Sequence, residues 1–217
     1  MRLPVAREGW PFVLGPAALA LALGLTGHRR LAMPFAAAAL ASLGFFRDPE
    51  RPAAAADPRM VLAPADGTVT AVAVDADDFV GPGVRVSIFL SPVDVHVNRA
   101  PVSGRVVSTT HTPGRFRPAY EPDAGLVNER CTVHLEGELG RVTVVQVAGV
   151  LARRIVCRVG AGDKLAAGER FGMIRFGSRT DCLMPRGTEV LVAVGQRVTG
   201  GVTVVGVLPE AARDGAV

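Results

Sequence analysis

Lysine is almost missing from this chain. Lys164 is the only one, so nearly all of the 24 basic residues are arginine. The planar arginine fork suits carboxylates and phosphates, although an arginine-for-lysine bias equally reflects genome composition. No basic run occurs, aromatics make up 5% of the residues and the net charge is only +4, which argues against a nucleic-acid partner. Cysteine is also sparse. Cys131, Cys157 and Cys182 lack metal-ligand spacing, so they read as buried thiols in a reducing compartment, with neither a disulfide framework nor a metal site. Long heptad-patterned helices are lacking as well. In contrast, 25 glycines and 16 prolines are many for a helical protein and fit numerous short strands joined by turns. A length of 217 residues allows one domain with a real core plus a short appendage.

The appendage comes first. Residues 10–27, WPFVLGPAALALALGLTG, carry no charge and are long enough to cross much of a bilayer. His28-Arg29-Arg30 interrupts the run, and a second uncharged stretch, LAMPFAAAALASLGFF, covers residues 31–46. Together they predict a helical membrane hairpin over 1–46. The alanine-rich second half is weakly hydrophobic, which leaves shallow insertion and full spanning both open. A secretory signal peptide competes, because Arg2 and Arg7 precede an apolar stretch, but a second apolar run follows directly. Arginines at both ends and in the turn leave the topology unfixed.

Residues 47–60, RDPERPAAAADPRM, read as a linker. From Val61 the period changes to that of strands. VLAPADGTVTAVAV alternates around Asp66-Gly67, a turn signal between two strand-like arms. VRVSIFLSP, CTVHLEG, GRVTVVQVAG, RRIVCRVG, TEVLVAV and GVTVVGVLP read as further strands. Residues 111–128, with three prolines and little periodicity, predict a long loop of the kind that is often functional. The expected fold is mainly β: a barrel-sandwich-like domain over 61–217 behind the hairpin. VLAPADGTV and VGAGDKLAAGERFGMI resemble the half-motifs of biotinyl and lipoyl carriers. A swinging-arm carrier is disfavoured, because the only lysine lies in a Gly-Asp-Lys-Leu turn.

Three polar constellations stand out against the apolar strands. Asp66 sits in Pro-Ala-Asp-Gly, His96 in Leu-Ser-Pro-Val-Asp-Val-His, and Asn128-Glu129-Arg130 follow the long loop. Each has an ordinary reading: a turn aspartate, a structural histidine and a solvated strand start. Near the end comes Gly177-Ser178, an ordinary turn dipeptide on its own. It is also a bond that can rearrange. Glycine leaves its carbonyl open and tolerates a strained turn, so the Ser178 hydroxyl can attack it and move the acyl group from nitrogen to oxygen. Such a serine needs a base, and the base an orienting acid. Asp66, His96 and Ser178 offer that set in chain order.

With Phe-Arg-Asp-Pro at 46–49, Pro-Ala-Asp-Gly, Leu-Ser-Pro-x-Asp-x-His, Asn-Glu-Arg and Phe-Gly-Ser-Arg in one order, the chain resembles the short, pyruvoyl-dependent phosphatidylserine decarboxylases from about Phe45 onward. The resemblance implies a proenzyme cut between Gly177 and Ser178 into a β chain, 1–177, and an α chain, 178–217, blocked by a pyruvoyl group made from Ser178. It implies that Asp66 and His96 serve the self-processing, that the substrate amine condenses with the pyruvoyl ketone before carbon dioxide leaves, and that His96 returns the proton. The products would be phosphatidylethanolamine and carbon dioxide. Where the family often has a second histidine three residues on, this sequence has Arg99, leaving proton transfer to His96 or giving Arg99 a binding role. Arg115, Arg117 and Arg130 are further candidates for the anionic headgroup. The same resemblance implies a substrate in the membrane, a heterodimer of the two chains that itself dimerises, and a catalytic domain on the cytoplasmic side of a bacterial-type cytoplasmic membrane. Two other classes compete with it. A membrane-tethered barrel-sandwich adaptor would need heptad helices between the half-motifs. A pyruvoyl enzyme for a soluble amino acid would have no use for residues 10–46.

Overall fold

Two stretches of unlike composition become two compact units, Met1–Glu50 and Arg51–Val217, in the computed structural model, which describes residues 4–52, 57–121, 123–150, 154–175 and 177–210. The alanine run of the expected linker, the Phe of Phe-Gly-Ser-Arg at 176 and the tail at 211–217 lie outside the described residues.

The first unit is a helical hairpin, α1 (Trp10–Leu25) and α2 (Arg29–Phe45). Leucine and alanine favour helix. Gly27, at φ +84°, supplies the left-handed residue that ends the first arm. The hairpin closes at its base, where the Ala6 N–H donates to the Phe46 carbonyl and the Asp48 N–H to the Pro4 carbonyl, at 2.8 and 2.7 Å. The Phe46 ring stacks on Phe12 and meets Phe45 edge-on. Leu14, Leu21, Leu25, Leu31, Met33 and Leu40 all face outward, a surface that hydrocarbon rather than water would suit. The helical stretch Arg7–Leu25 is long and apolar enough to cross a membrane, and among the described residues it is the only one that is.

The second unit is mainly β, as the alternating patterns predict. Its elements are β1 (Met60–Leu62), β2 (Gly67–Asp77), β3 (Gly81–Leu90), β4 (Val97–Arg99), β5 (Gly104–Thr112), α3 (Ala124–Val127), β6 (Arg130–Gly137), β7 (Arg141–Val147), β8 (Ile155–Cys157), β9 (Lys164–Leu165), β10 (Arg170–Ile174), β11 (Ser178–Pro185), β12 (Glu189–Val190), β13 (Arg197–Val198) and β14 (Val204–Val207). Eight strands form one antiparallel sheet in the order β13-β2-β3-β11-β7-β6-β5-β9, with two three-stranded sheets, β1-β14-β12 and β4-β10-β8. Register shifts in β2 and β5 mark the bulges by which a sheet curls on itself. Inside the curl, Val69, Val86, Ile88, Val133, Leu135, Val144, Phe171 and Met184 form one apolar core.

One local expectation needs correcting. Asp66-Gly67 does not turn a hairpin, because β1 pairs with β14 and β2 with β3. The chain changes sheets there. Gly67 is needed for another reason, since a Cβ at its position would stand 2.1 Å from the Phe89 carbonyl oxygen. TEVLVAV is also shorter in the structure than its apolar pattern suggests, with only Glu189 and Val190 in a strand.

The strand that carries the Gly-Ser serine, β11, runs through the middle of the large sheet. It is paired on one side with β3, where Ser178 faces Leu90 and Thr180 faces Ile88, and on the other with β7, where Thr180 faces Gln146. With a side-chain period of two, Ser178, Thr180, Cys182 and Met184 point to the core side. Arg179 and Asp181 point to the opposite side, beneath the 113–127 loop.

Candidate active site

The register of β11 puts Ser178 at the end of the core, fully buried. Its hydroxyl oxygen has no hydrogen-bond partner among the described residues. A buried hydroxyl normally finds one, and leaving it alone costs about 1–3 kcal/mol. The residue before it, Gly177, has φ +67°, the left-handed conformation that a residue with a Cβ enters at a cost.

His96 arrives from 81 residues earlier, just ahead of β4. The Gly177 N–H donates to its Nε2 at 3.3 Å. Nε2 is therefore the acceptor, and the other ring nitrogen carries the hydrogen, donating to the Asp94 carbonyl oxygen 2.9 Å away. A neutral imidazole is thus held with its lone pair towards the Gly177–Ser178 segment. The Asp94 carboxylate lies below that carbonyl and fixes the turn. It accepts from the Ser91 N–H and hydroxyl at 2.8 and 2.7 Å and from the Arg197 guanidinium, so Leu-Ser-Pro-Val-Asp is the bracket that carries His96.

Burial alone would raise the Asp94 pKa, but the hydrogen bonds from Arg197 and Ser91 outweigh it and hold the carboxyl below its usual 3.8. A depressed folded value means that the native state takes up the proton only at lower pH than the unfolded chain. The stability from this bracket is therefore complete above about pH 4 and drains away as pH falls through the lowered value. Asp94→Asn is expected to lower the urea midpoint at neutral pH and to flatten its fall between about pH 5 and pH 2, measured by fluorescence at a series of pH values.

Asp66 occupies a different position from the one a triad would give it. Its carboxylate takes two hydrogen-bonding partners, the Arg51 guanidinium at 2.8 Å and the Gly200 N–H at 2.9 Å. Neither is His96. Arg51, which the sequence places in a linker, also donates to the Gly200 carbonyl. Arg99 is buried and donates to the Gly168 carbonyl at 2.9 Å. Behind Ser178, the Asn98 amide donates to the Thr180 hydroxyl at 3.0 Å and accepts from Gln146 at 2.8 Å, giving the floor of the site a fixed polar pattern within apolar strands.

The remaining wall comes from the long loop. Asn128 pins it, with its Nδ2 donating to the Arg117 and Ala148 carbonyls, both at 2.8 Å, and its Oδ1 accepting from the Arg117 N–H at 3.0 Å. Arg179 pins it again, donating to the Glu121 carbonyl at 3.0 Å and the Ala119 carbonyl at 3.3 Å while paired with Asp181. The chain then passes Gly149, whose missing side chain admits the Gly177 carbonyl. A Cβ at Gly149 would stand 2.3 Å from that oxygen. Of the three loop-region arginines, Arg115 is exposed, Arg117 forms a surface pair with Asp123 at 3.1 Å, and Arg130 donates to the Leu126 carbonyl at 2.9 Å.

The structure thus brings Gly177, Ser178 and His96 together and seats Asp66 on Arg51 and Gly200. Sequence reasoning passed over Asp94, Asn98, Gln146, Gly149 and Arg179. A polar Gln in the apolar run VVQV was a usable signal for one of them. Nothing local distinguished Gly149. Among the described residues no group of three or more His, Cys, Asp or Glu is placed to hold a metal ion.

A family model for phosphatidylserine decarboxylase matches residues 39–206. A phosphatidylserine decarboxylase proenzyme of Symbiobacterium thermophilum is 50% identical over 97% of this chain and 99% of its own. Proteins of the same name from Nitrosomonas europaea and Nocardia farcinica are 46% and 48% identical, over 92% and 94% of this chain and 93% and 88% of theirs. All four matches run through the bracket of His96 and the Gly177–Ser178 bond, and the chain belongs to the phosphatidylserine decarboxylase family.

Proposed function

We propose that this chain is a proenzyme that cuts itself between Gly177 and Ser178 and then decarboxylates phosphatidylserine to phosphatidylethanolamine. The observation that carries the reading is the buried Ser178 hydroxyl, without a partner among the described residues, beside a left-handed glycine whose N–H is held on His96. The family supplies the reaction, and these residues supply the means.

In the first step Ser178 Oγ bonds to the Gly177 carbonyl carbon, its proton passes to His96 Nε2, and the peptide C–N bond breaks with the nitrogen taking a proton. The peptide has become an ester. Loss of the Ser178 α-proton then expels the Gly177 carboxylate, and hydrolysis of the remaining enamine takes up one water and releases one ammonia. What remains on residue 178 is a pyruvoyl group. An orphaned hydroxyl fits this role, because forming the new bond removes a cost that the folded precursor carries.

Once formed, the group supplies an electron-accepting ketone that draws off the electrons left behind when carbon dioxide departs. The rest falls to the chain's own residues. His96 holds a proton at Nε2 for return to the substrate carbon. Asn98, Thr180 and Gln146 keep the floor of the site ordered. Arg115 and Arg117, exposed on the long loop, are the arginines assigned to an anionic headgroup, whereas Arg99 and Arg130 are committed to carbonyls nearby. Asp66 would act on processing through the Arg51–Gly200 lock.

The two chains are expected to remain one unit after the cut. β11 is hydrogen-bonded on both sides to strands of the larger chain, and Asp94–Arg197 and Asp66–Gly200 also join the two chains. Pairing of two such units is proposed on family grounds. The apolar α1 supports anchoring at the cytoplasmic membrane, with the catalytic unit on its inner side, where a diacyl substrate need not leave the bilayer.

The test is release of carbon dioxide and phosphatidylethanolamine from phosphatidylserine in mixed micelles by the purified, cut protein, with free serine as the control. Turnover of free serine at an equal rate would defeat the lipid assignment. Gly149→Ala is expected to slow processing about 100-fold, since displacing a reacting carbonyl by the order of 1 Å costs that much. The ratio of uncut to cut chain during cell-free synthesis measures it.

A further inference from the structure

Next to the scissile bond, on the loop side of β11, lies an apolar cavity of about 220 Å³ lined by Phe89, Pro92, Pro118, Ala119, Tyr120, Val150 and Gly177. Tyr120 and Val150 of its lining, and Val93 and Phe116 of the same segments, are exposed apolar side chains. Val93 is 76% exposed, Tyr120 64%, Val150 48% and Phe116 36%. Water-facing segments do not ordinarily present so many large apolar side chains close to one another in the chain and beside a cavity. They are not there for want of order, because Asn128 and Arg179 pin this loop through the Arg117, Ala119 and Glu121 carbonyls and the Tyr120 ring meets Phe89 edge-on at 6.0 Å. Arg115 and Arg117 stand on the same loop with exposed guanidinium groups.

We infer that this face is a lipid-contact surface of the catalytic unit itself, and that the cavity holds the first part of one acyl chain of the substrate while Arg115 and Arg117 meet phosphate. Its position selects that occupant. Gly177 is part of the cavity wall, so a chain seated there lies beside residue 178. The apolar lining and the two arginines of the same loop offer separate partners to the chain and the phosphate of a phospholipid. A peptide groove or a contact with a second copy would not need to include the reacting bond. The inference rests on phosphatidylserine being the substrate. It adds that chain recognition belongs to the 116–120 loop, Pro92–Val93 and Val150, rather than to the apolar helices alone.

Two measurements on the full-length, cut protein decide it. In the first, a phosphatidylserine carrying a diazirine on one acyl chain near the glycerol is irradiated with the protein in vesicles, and the labelled peptides are mapped. Label on 113–121 and around Val150, competed by dioleoyl-phosphatidylserine, is expected. Label confined to residues 10–46 overturns the inference, whether or not the protein releases carbon dioxide. In the second, kcat/KM is compared for dioleoyl-phosphatidylserine in micelles and monomeric dihexanoyl-phosphatidylserine. Tyr120→Ser, and separately Val93→Ser with Val150→Ser, should lower the long-chain to short-chain ratio about tenfold, with Tyr120→Phe restoring it. A parallel fall for both substrates, or an unchanged ratio, rejects the surface. Loss of a dimer on the same substitutions without any loss of label competition would make it a contact between copies and reject it too. No carbon dioxide from either substrate with unaltered protein refutes the decarboxylase reading instead, and the labelling pattern still decides the surface.

Discussion

Ser178→Ala is expected to leave one chain of 217 residues where the unaltered protein gives two, and to remove decarboxylation to below about 10⁻⁴ of normal, as loss of an essential nucleophile does. Intact mass reads the first effect. The smaller chain, 178–217, should weigh one ammonia less than its sequence and resist stepwise degradation from its N-terminus. What makes this more than the usual loss-of-nucleophile experiment is the predicted stability. Most substitutions at a fully buried position remove packing or a hydrogen bond. Here the hydroxyl has no partner among the described residues, so its replacement by a methyl hydrogen removes an unsatisfied polar group and little else. The uncut Ala variant should therefore melt no lower than newly made, uncut parent, and higher by on the order of 1 kcal/mol in stability. A Ser178→Ala protein that is cut would end the proposal outright. One that is uncut but unfolded would remove the reason given for the strained precursor. Ser178→Thr gives a useful intermediate case, because it keeps the hydroxyl but adds a methyl to a closely packed position, so cutting should persist at a reduced rate.

The sequence carried the large features because these depend on period and composition. Alternating apolar residues from Val61 onward require half-buried strands, and two uncharged runs broken by His28-Arg29-Arg30 require a helical pair. The site was legible as chemistry rather than as geometry. Gly177, Ser178 and His96 read as a strained acyl group, a nucleophile and a base, and the Gly177 N–H does meet the His96 ring. The partners of Asp66 were not legible. It reads naturally as the third member of a triad or as a hairpin aspartate, yet it locks Arg51 to Gly200, residues 149 positions apart. Pairings of that span follow from sheet order, which no local pattern encodes. Gly149 was invisible for the same reason, since the atom that forbids a side chain there belongs to residue 177. Asp94 was hidden differently. It stands inside a recognised motif, but the motif drew attention to the histidine, and only the hydrogen bonds reveal that the aspartate builds the turn that aims it.

That bracket leads to the second large effect. His96→Ala should slow self-cleavage by about 10²–10⁴-fold, the range for removal of a positioned general base, while leaving a folded, uncut chain. Among the groups that would lose their partner are the Gly177 N–H at 3.3 Å and the Asp94 carbonyl at 2.9 Å. The first loss matters more for the proposed chemistry, in which the imidazole that accepts from the glycine N–H also takes the serine proton. His96→Gln separates those roles. A glutamine carbonyl can still accept from Gly177 and so preserve the turn, but it cannot take a proton from a hydroxyl near neutral pH. Processing by the Gln variant should thus be as slow as that of the Ala variant, although its fold is better preserved. If His96 only holds the turn, the Gln variant will instead cut nearly as fast as the parent. Acid offers an independent reading. A protonated ring has no lone pair at Nε2, so self-cleavage of newly made chain should slow as pH falls, and the two variants should lack that dependence. Comparing cutting rates across pH for the parent, Ala and Gln forms then tells a base from a prop.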